Sequence, residues 1–309
     1  MSTQGSKKAI VAAFAANLGI ALAKFVGFIV TGASSMLAES IHSLADTGNQ
    51  GLLMLGNRRA QRDVDDDHPF GHGRERFFYA FVVAMVLFTV GSVFAIVEGI
   101  DKIRHPEAIE SVAVALVVLG IAIVLEAVSL RTAMSESRAA TREWHGWRAF
   151  IHESKTPELT VLLLEDVAAL VGLVVAFAAL LLAWRVDAVF DGIGTLTIGA
   201  ILGVVAVVLA VEMKSLLLGE AATKADVDLI EAAIRSSAHV DSLIHLRTQH
   251  LGPKQLLIAA KVAFSQALSM QELARAIDVV EESIRAVVDG ADYIFIEPDI
   301  RREDSPDAL

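Results

Sequence analysis

Residues 38–49, Ala38-Glu39-Ser40-Ile41-His42-Ser43-Leu44-Ala45-Asp46-Thr47-Gly48-Asn49, decide how this chain reads. They lie in an apolar region of membrane-span length, yet hold a histidine and an aspartate four residues apart. On a helix, positions i and i+4 share one face. A carboxylate and an imidazole stacked on one face inside hydrocarbon are expensive and need a partner. A divalent cation is the simplest one.

The composition around the stretch fits a hydrocarbon setting. Hydrophobic residues make up 54% of the 309, and the mean hydropathy is +0.56. Such values belong to chains that lie mostly in a bilayer. There is no cysteine, which excludes disulfides and thiolate metal sites. The net charge is −11, and from Gly219 onward 16 acidic residues oppose 9 basic ones. An acidic tail argues against a nucleic-acid partner and fits a soluble domain facing the cytoplasm.

Hydropathy predicts six transmembrane helices, at about 9–31, 35–56, 77–97, 111–130, 158–184 and 190–211. Lys7 and Lys8 before the first apolar run give it the outline of a signal peptide. Further spans follow at once, however, and no cleavage site precedes Lys24. Phe77 to Val97 is 21 residues without a charge, enough to cross ~30 Å. Arg58, Arg59, Arg62, Arg74 and Arg76 crowd one loop, and Arg131, Arg138, Arg142, Arg148 and Lys155 another. The opposite side has only Lys102, Arg104 and Arg185. The excess of positive charge places both termini in the cytoplasm.

After Gly219 the pattern becomes that of a small soluble domain. A helix is predicted over 224–237, strands over 242–249 and 255–264 around a turn at 250–254, a helix over 270–288 and a strand over 291–296. The order α-β-β-α-β fits a ferredoxin-like α+β domain with helices on one face of a sheet. The expected architecture is therefore an all-α membrane domain, 1–218, followed by a cytoplasmic α+β domain, 219–309.

Three constellations carry chemistry. Asp166, with its neighbour Glu165, sits inside the otherwise apolar segment 159–184. With His42 and Asp46 it supplies nitrogen and oxygen ligands for a four-coordinate dication. The competing reading is structural pairing with Lys24, but four ionisable groups outnumber one intramembrane lysine. The second constellation is Asp65-x2-His68-x3-His72, in a loop with Pro69, Gly71 and Gly73; it reads equally as a metal site or a solvated acidic turn. The third is Glu126, near the end of the fourth helix. It either snorkels or pairs with Arg131, or relays protons and entering metal. His245 and His250 read as surface strand histidines. Gly199-x3-Gly203 permits close helix packing.

Together these motifs resemble the cation diffusion facilitator family. The resemblance rests on Lys24, Ser35-x3-Glu39-x2-His42-x3-Asp46, His68-Pro69-Phe70-Gly71-His72-Gly73, six spans and the α+β tail. Within the family the chain resembles the branch that includes the mitochondrial zinc transporter of animals. That likeness is carried by Glu153-Ser154-Lys155-x-Pro157, by the run from Val161 through Glu165-Asp166 to Ala169, by Asp46-Thr47-x-Asn49-Gln50-Gly51, and by Glu126.

The resemblance implies a homodimeric secondary transporter rather than an enzyme, with no resident cofactor. It would exchange a divalent cation, commonly Zn²⁺, for protons. The family site pairs two ligands on helix 2 with two on helix 5. His42, Asp46 and Asp166 match, but Leu162 stands where relatives carry histidine, and Glu165 is the expected substitute. One nitrogen and three carboxylates form a harder site, which admits Mn²⁺, Fe²⁺ or Co²⁺ beside Zn²⁺. Asp65, His68 and His72 would form a secondary cytoplasmic site. In the tail, Lys261 replaces a strand histidine and Ile296-Glu297-Pro298 lacks one, so the domain is expected to dimerise without the family's usual metal pair. The expected location is a bacterial cell (inner) membrane. A membrane metal sensor or adaptor that binds without transport is the main rival. An organic-cation carrier, which would need a roomier aromatic pocket, is a weaker one.

Overall fold

A computed structural model describes residues 18–106, 109, 111–140 and 157–300. The expected start of the first helix (9–17), Lys7, Lys8, Arg142, Arg148 and the stretch 153–155 lie outside these residues.

Among the described residues six helices come first: α1 (Leu18–Thr31), α2 (Ser34–Ala60), α3 (Glu75–Arg104), α4 (Val112–Ala140), α5 (Pro157–Arg185) and α6 (Val189–Leu218). Four of them, α3, the Val112–Thr132 part of α4, α5 and α6, are long and apolar enough to cross a membrane; the described part of α1 is shorter. Large apolar side chains stand exposed along them, Val117, Ile121, Val124 and Val128 on α4 among others. A ridge of that kind suits contact with lipid, since a helix satisfies its own backbone groups there.

Several helices outrun their predicted ends. α4 continues to Ala140 rather than stopping at Leu130, and α3 to Arg104 rather than Val97. Hydropathy marks where a hydrocarbon-compatible run stops, not where a helix does. Arg131-Thr132-Ala133-Met134-Ser135-Glu136 contains neither proline nor glycine to end one. Within α3, Leu87–Val93 is π-helical, a feature with no hydropathy signature.

The chain forms two compact units. One comprises the described residues within Met1–Arg59 and Phe78–Met213; the other those within Ala60–Phe77 and Lys214–Leu309. In the first unit, the turn between α1 and α2 is fixed by Asp191 of α6. Its carboxylate accepts from the Ser34 and Ser35 backbone N–H groups at 2.7 and 3.2 Å and from both serine hydroxyls. The first N–H groups of a helix have no intrahelical acceptor, so another helix supplies the cap. The predicted glycine seam is in contact: a Cβ on Gly199 would meet Ile96 at 2.8 Å, and Ser92 Oγ donates to Gly199 O at 2.8 Å.

In the second unit, α7 (Lys224–Ser236), β1 (Val240–Gly252), β2 (Gln255–Phe264), α8 (Met270–Val287) and β3 (Tyr293–Asp299) follow in order. The mixed sheet runs β1-β2-β3, with β1 antiparallel and β3 parallel to β2. Alternate β2 residues, Leu256, Ile258, Ala260 and Val262, pack with Ile230 and Ile234 of α7 and Val280 and Ile284 of α8 in one core. The period of two in β2 and the helical spacing in α7 and α8 make that core.

Candidate cation-binding sites

The polar face of α2 organises the first unit. His42, Asp46 and Asn49 follow one another at i, i+4 and i+7, so they share a face. His42 and Asn49 are fully buried. His42 Nδ1 stands 3.4 Å from Asp46 Oδ1, and neither ring nitrogen has a hydrogen-bond partner; Asp46 Oδ1 and Asn49 Oδ1 also lack one. Buried polar atoms are almost always satisfied, so a row of unpartnered nitrogen and oxygen atoms on one face is a donor set that a cation would satisfy.

α5 and α4 complete the arrangement. Asp46, Glu126, Glu165 and Asp166 line one cavity of about 20 Å³, together with Ser43, Gln50, Ser129 and Leu162. That volume is room for roughly one water-sized guest. Glu165 Oε1 accepts from Asn49 Nδ2 at 2.7 Å, and Asp166 Oδ2 accepts from Ser129 Oγ at 3.1 Å. His42 lies outside the lining and adjoins the cavity through Asp46.

The sequence-predicted residues thus come together in part. Asp46, Glu165 and Asp166 share one cavity, and Glu126 joins them there. Leu162 lines the same cavity as Glu165. Asn49, Gln50, Ser43 and Ser129 were missed as lining or positioning groups; the only sequence signal for them is polarity inside apolar helices. Lys24, offered as a structural partner for the acids, instead bonds Glu39 Oε2 at 3.2 Å and Ser43 Oγ at 2.7 Å.

The second unit holds the loop constellation. Asp65, His68 and His72 each offer a ligand atom, and these atoms lie within 4.8 Å of one another. His68 Nδ1 stands 3.0 Å from Asp65 Oδ1, and His72 Nε2 stands 3.2 Å from Asp65 Oδ2. The His68 side-chain hydrogen bond, aided by the His68 backbone and His72, holds the exposed Asp65 carboxyl below its usual range. The loop lies against the tail. The Phe70 ring meets Tyr293 edge-on at 5.3 Å, and a Cβ on Gly73 would come within 2.7 Å of Leu251 O.

Two tail residues complete the account. Lys261 on β2 lies between Glu297 and Asp299 of β3, at 3.4 and 3.3 Å. The bond to Asp299 and the charge of Glu297 raise its pKa. His250 is not on the surface as expected but buried, and its backbone N–H donates to Glu220 O at 2.8 Å.

Comparison with known proteins gives a consistent picture. Residues 10–218 match the family described as the cation efflux transmembrane domain. The mitochondrial proton-coupled zinc antiporter SLC30A9 of Mus musculus is 30% identical over 263 residues, 84% of this chain and 46% of that protein. The Homo sapiens protein of the same name gives the same figures. Metal tolerance protein C4 of Arabidopsis thaliana is 30% identical over 274 residues, 88% of this chain and 60% of that protein. The chain spans about half the length of these relatives.

Proposed function

The chain belongs to the cation diffusion facilitator family, and from that premise we propose that it is a secondary transporter of divalent metal cations, zinc foremost, driven by proton exchange. One observation carries the reading: four carboxylates, Asp46, Glu126, Glu165 and Asp166, line a cavity of about 20 Å³ between helices, beside His42. Acids concentrated in hydrocarbon need a cation or protons to neutralise them. The small volume favours a bare ion over an organic cation.

His42, Asp46, Glu165 and Asp166 would hold the ion, with one nitrogen against three carboxylates. Glu126 stands at the same cavity and would relay protons or entering metal. Ligands must lose their protons before a metal binds, so protons and cation compete for the same lone pairs. That competition couples the two flows when the ions differ in affinity for the two faces. On this reading α1 to α6 are six crossings with both termini in the cytoplasm. Residues 219–309 form a dimerisation and regulatory domain, and the working unit is a homodimer. Asp65, His68 and His72 form a secondary cytoplasmic site.

The test is flux in liposomes containing a zinc-sensing dye and a pH dye, with Mn²⁺, Fe²⁺ and Co²⁺ as competitors. The proposal expects zinc uptake with opposed proton movement. Zinc binding without flux would establish the sensor or adaptor reading instead. Absence of binding would reject both.

A further inference from the structure

The proposed site leaves a buried ion pair, Lys24 with Glu39, unused. Lys24 on α1 is 1% exposed and among the largest fully buried side chains among the described residues. Its ammonium donates to Glu39 Oε2 and to Ser43 Oγ. Glu39 is completely buried, and its second oxygen, Oε1, has no hydrogen-bond partner. That oxygen lies so close to α5 that a Cβ on Gly172 would meet it at 2.5 Å. Ser43, the other acceptor, lines the cavity that holds Asp46, Glu126, Glu165 and Asp166. The ammonium therefore donates to a hydroxyl that lines the same cavity as the carboxylates.

We infer that Lys24 is a positioning residue that sets the cation affinity of the cavity, acting as a fixed positive charge whose field Glu39 partly cancels. This rests on the transport reading above. A dication cannot neutralise four carboxylates, so an unmoderated cavity would hold its cargo too tightly to release it. A resident ammonium weakens binding without occupying the site, and Glu39 keeps that charge from abolishing binding. The pair is thus more than a link between α1 and α2, because both charges act on the neighbouring site in opposite senses. Interactions of this kind are strong where water is scarce.

Opposite signs give the test. Zinc affinity is measured by calorimetry on the purified full chain, and zinc KM and maximal flux in liposomes. Lys24→Gln should tighten binding and lower KM by about tenfold while maximal flux falls, because release slows. Glu39→Gln, which leaves the ammonium uncancelled, should weaken binding and raise KM by about tenfold. The double variant Lys24→Gln/Glu39→Gln should return KM to within about threefold of the parent. A pair that serves only as a structural link would shift both single variants in the same direction; that result overturns the inference. If one single variant does not fold, the sign of the other still decides. A parent chain that binds zinc without the opposed signs defeats this inference alone, whereas a parent that binds no cation defeats the transport reading and the inference with it.

Discussion

Asn49 on α2 and Glu165 on α5, 116 residues apart in the chain, are joined by a 2.7 Å hydrogen bond in which Nδ2 donates to Oε1. It ties the helix that carries His42 and Asp46 to the helix that carries Asp166. Removing the donor leaves a buried carboxylate oxygen unsatisfied, at a cost of about 1–3 kcal/mol. Asn49→Leu should therefore lower the melting temperature and weaken zinc binding about tenfold. Calorimetry on the purified protein checks both; unchanged affinity would show that the bond does not position Glu165.

Leu162 and Glu165 line the same cavity, so an imidazole introduced at 162 can face the ligands that Glu165 faces. Glu165→Ala should reduce zinc flux by at least about tenfold, since even a ligand's outer-shell support is worth that much. Adding Leu162→His to that variant should restore most of the flux and shift preference from Mn²⁺ toward Zn²⁺. Full flux in Glu165→Ala alone would remove Glu165 from the site.

The loop cluster is separable from the cavity. Asp65→Ala with His72→Ala takes away two of the three ligands gathered within 4.8 Å. The number of zinc ions bound per chain should fall by one, with the tighter cavity site retained. Equilibrium dialysis gives the count; an unchanged stoichiometry would make the loop a solvated acidic turn.

In the tail, Ser269 caps α8 in a reciprocal box with Glu272. The Ser269 hydroxyl, followed by its backbone N–H, holds the Glu272 carboxyl below its usual value. A depressed folded pKa gives stability that is present above the unfolded value, about 4.3, and lost as pH falls through the folded one. The first turn of α8 should fray on acidification below about pH 4, and Glu272→Gln should flatten that dependence. Ser269→Ala should cost about 1 kcal/mol. Amide exchange at the start of α8 reads each effect; an acid-insensitive first turn would contradict the assignment.

Much of this was legible in the chain because the signals were local. Runs such as Phe77–Val97 announced apolar helices, and the alternation in β2 announced a strand with one buried face. His42 and Asp46 were legible because helical spacing alone puts them on one face. What stayed hidden depends on partners distant in sequence. Nothing near Glu126 says whether it turns toward Arg131 or toward Asp166; packing of α4 against α5 decides, and brings it to the cavity. Asn49 reads as one polar residue among several until Glu165 arrives beside it. His250 likewise pairs its backbone N–H with Glu220 O, thirty residues earlier and outside the strand. Lys24 was legible as a buried charge, but its acceptors were not, because the pairing depends on how α1 lies on α2.

The central claim is that the acids between α2 and α5 carry the cation. Its most direct test is zinc flux into liposomes by Asp46→Ala and Asp166→Ala, with circular dichroism confirming that both variants fold. Each substitution removes a cavity carboxyl group, and flux should fall by at least about tenfold, since even a ligand's outer-shell support is worth about 10–100-fold. Folded variants that carry zinc at the parent rate would contradict the account.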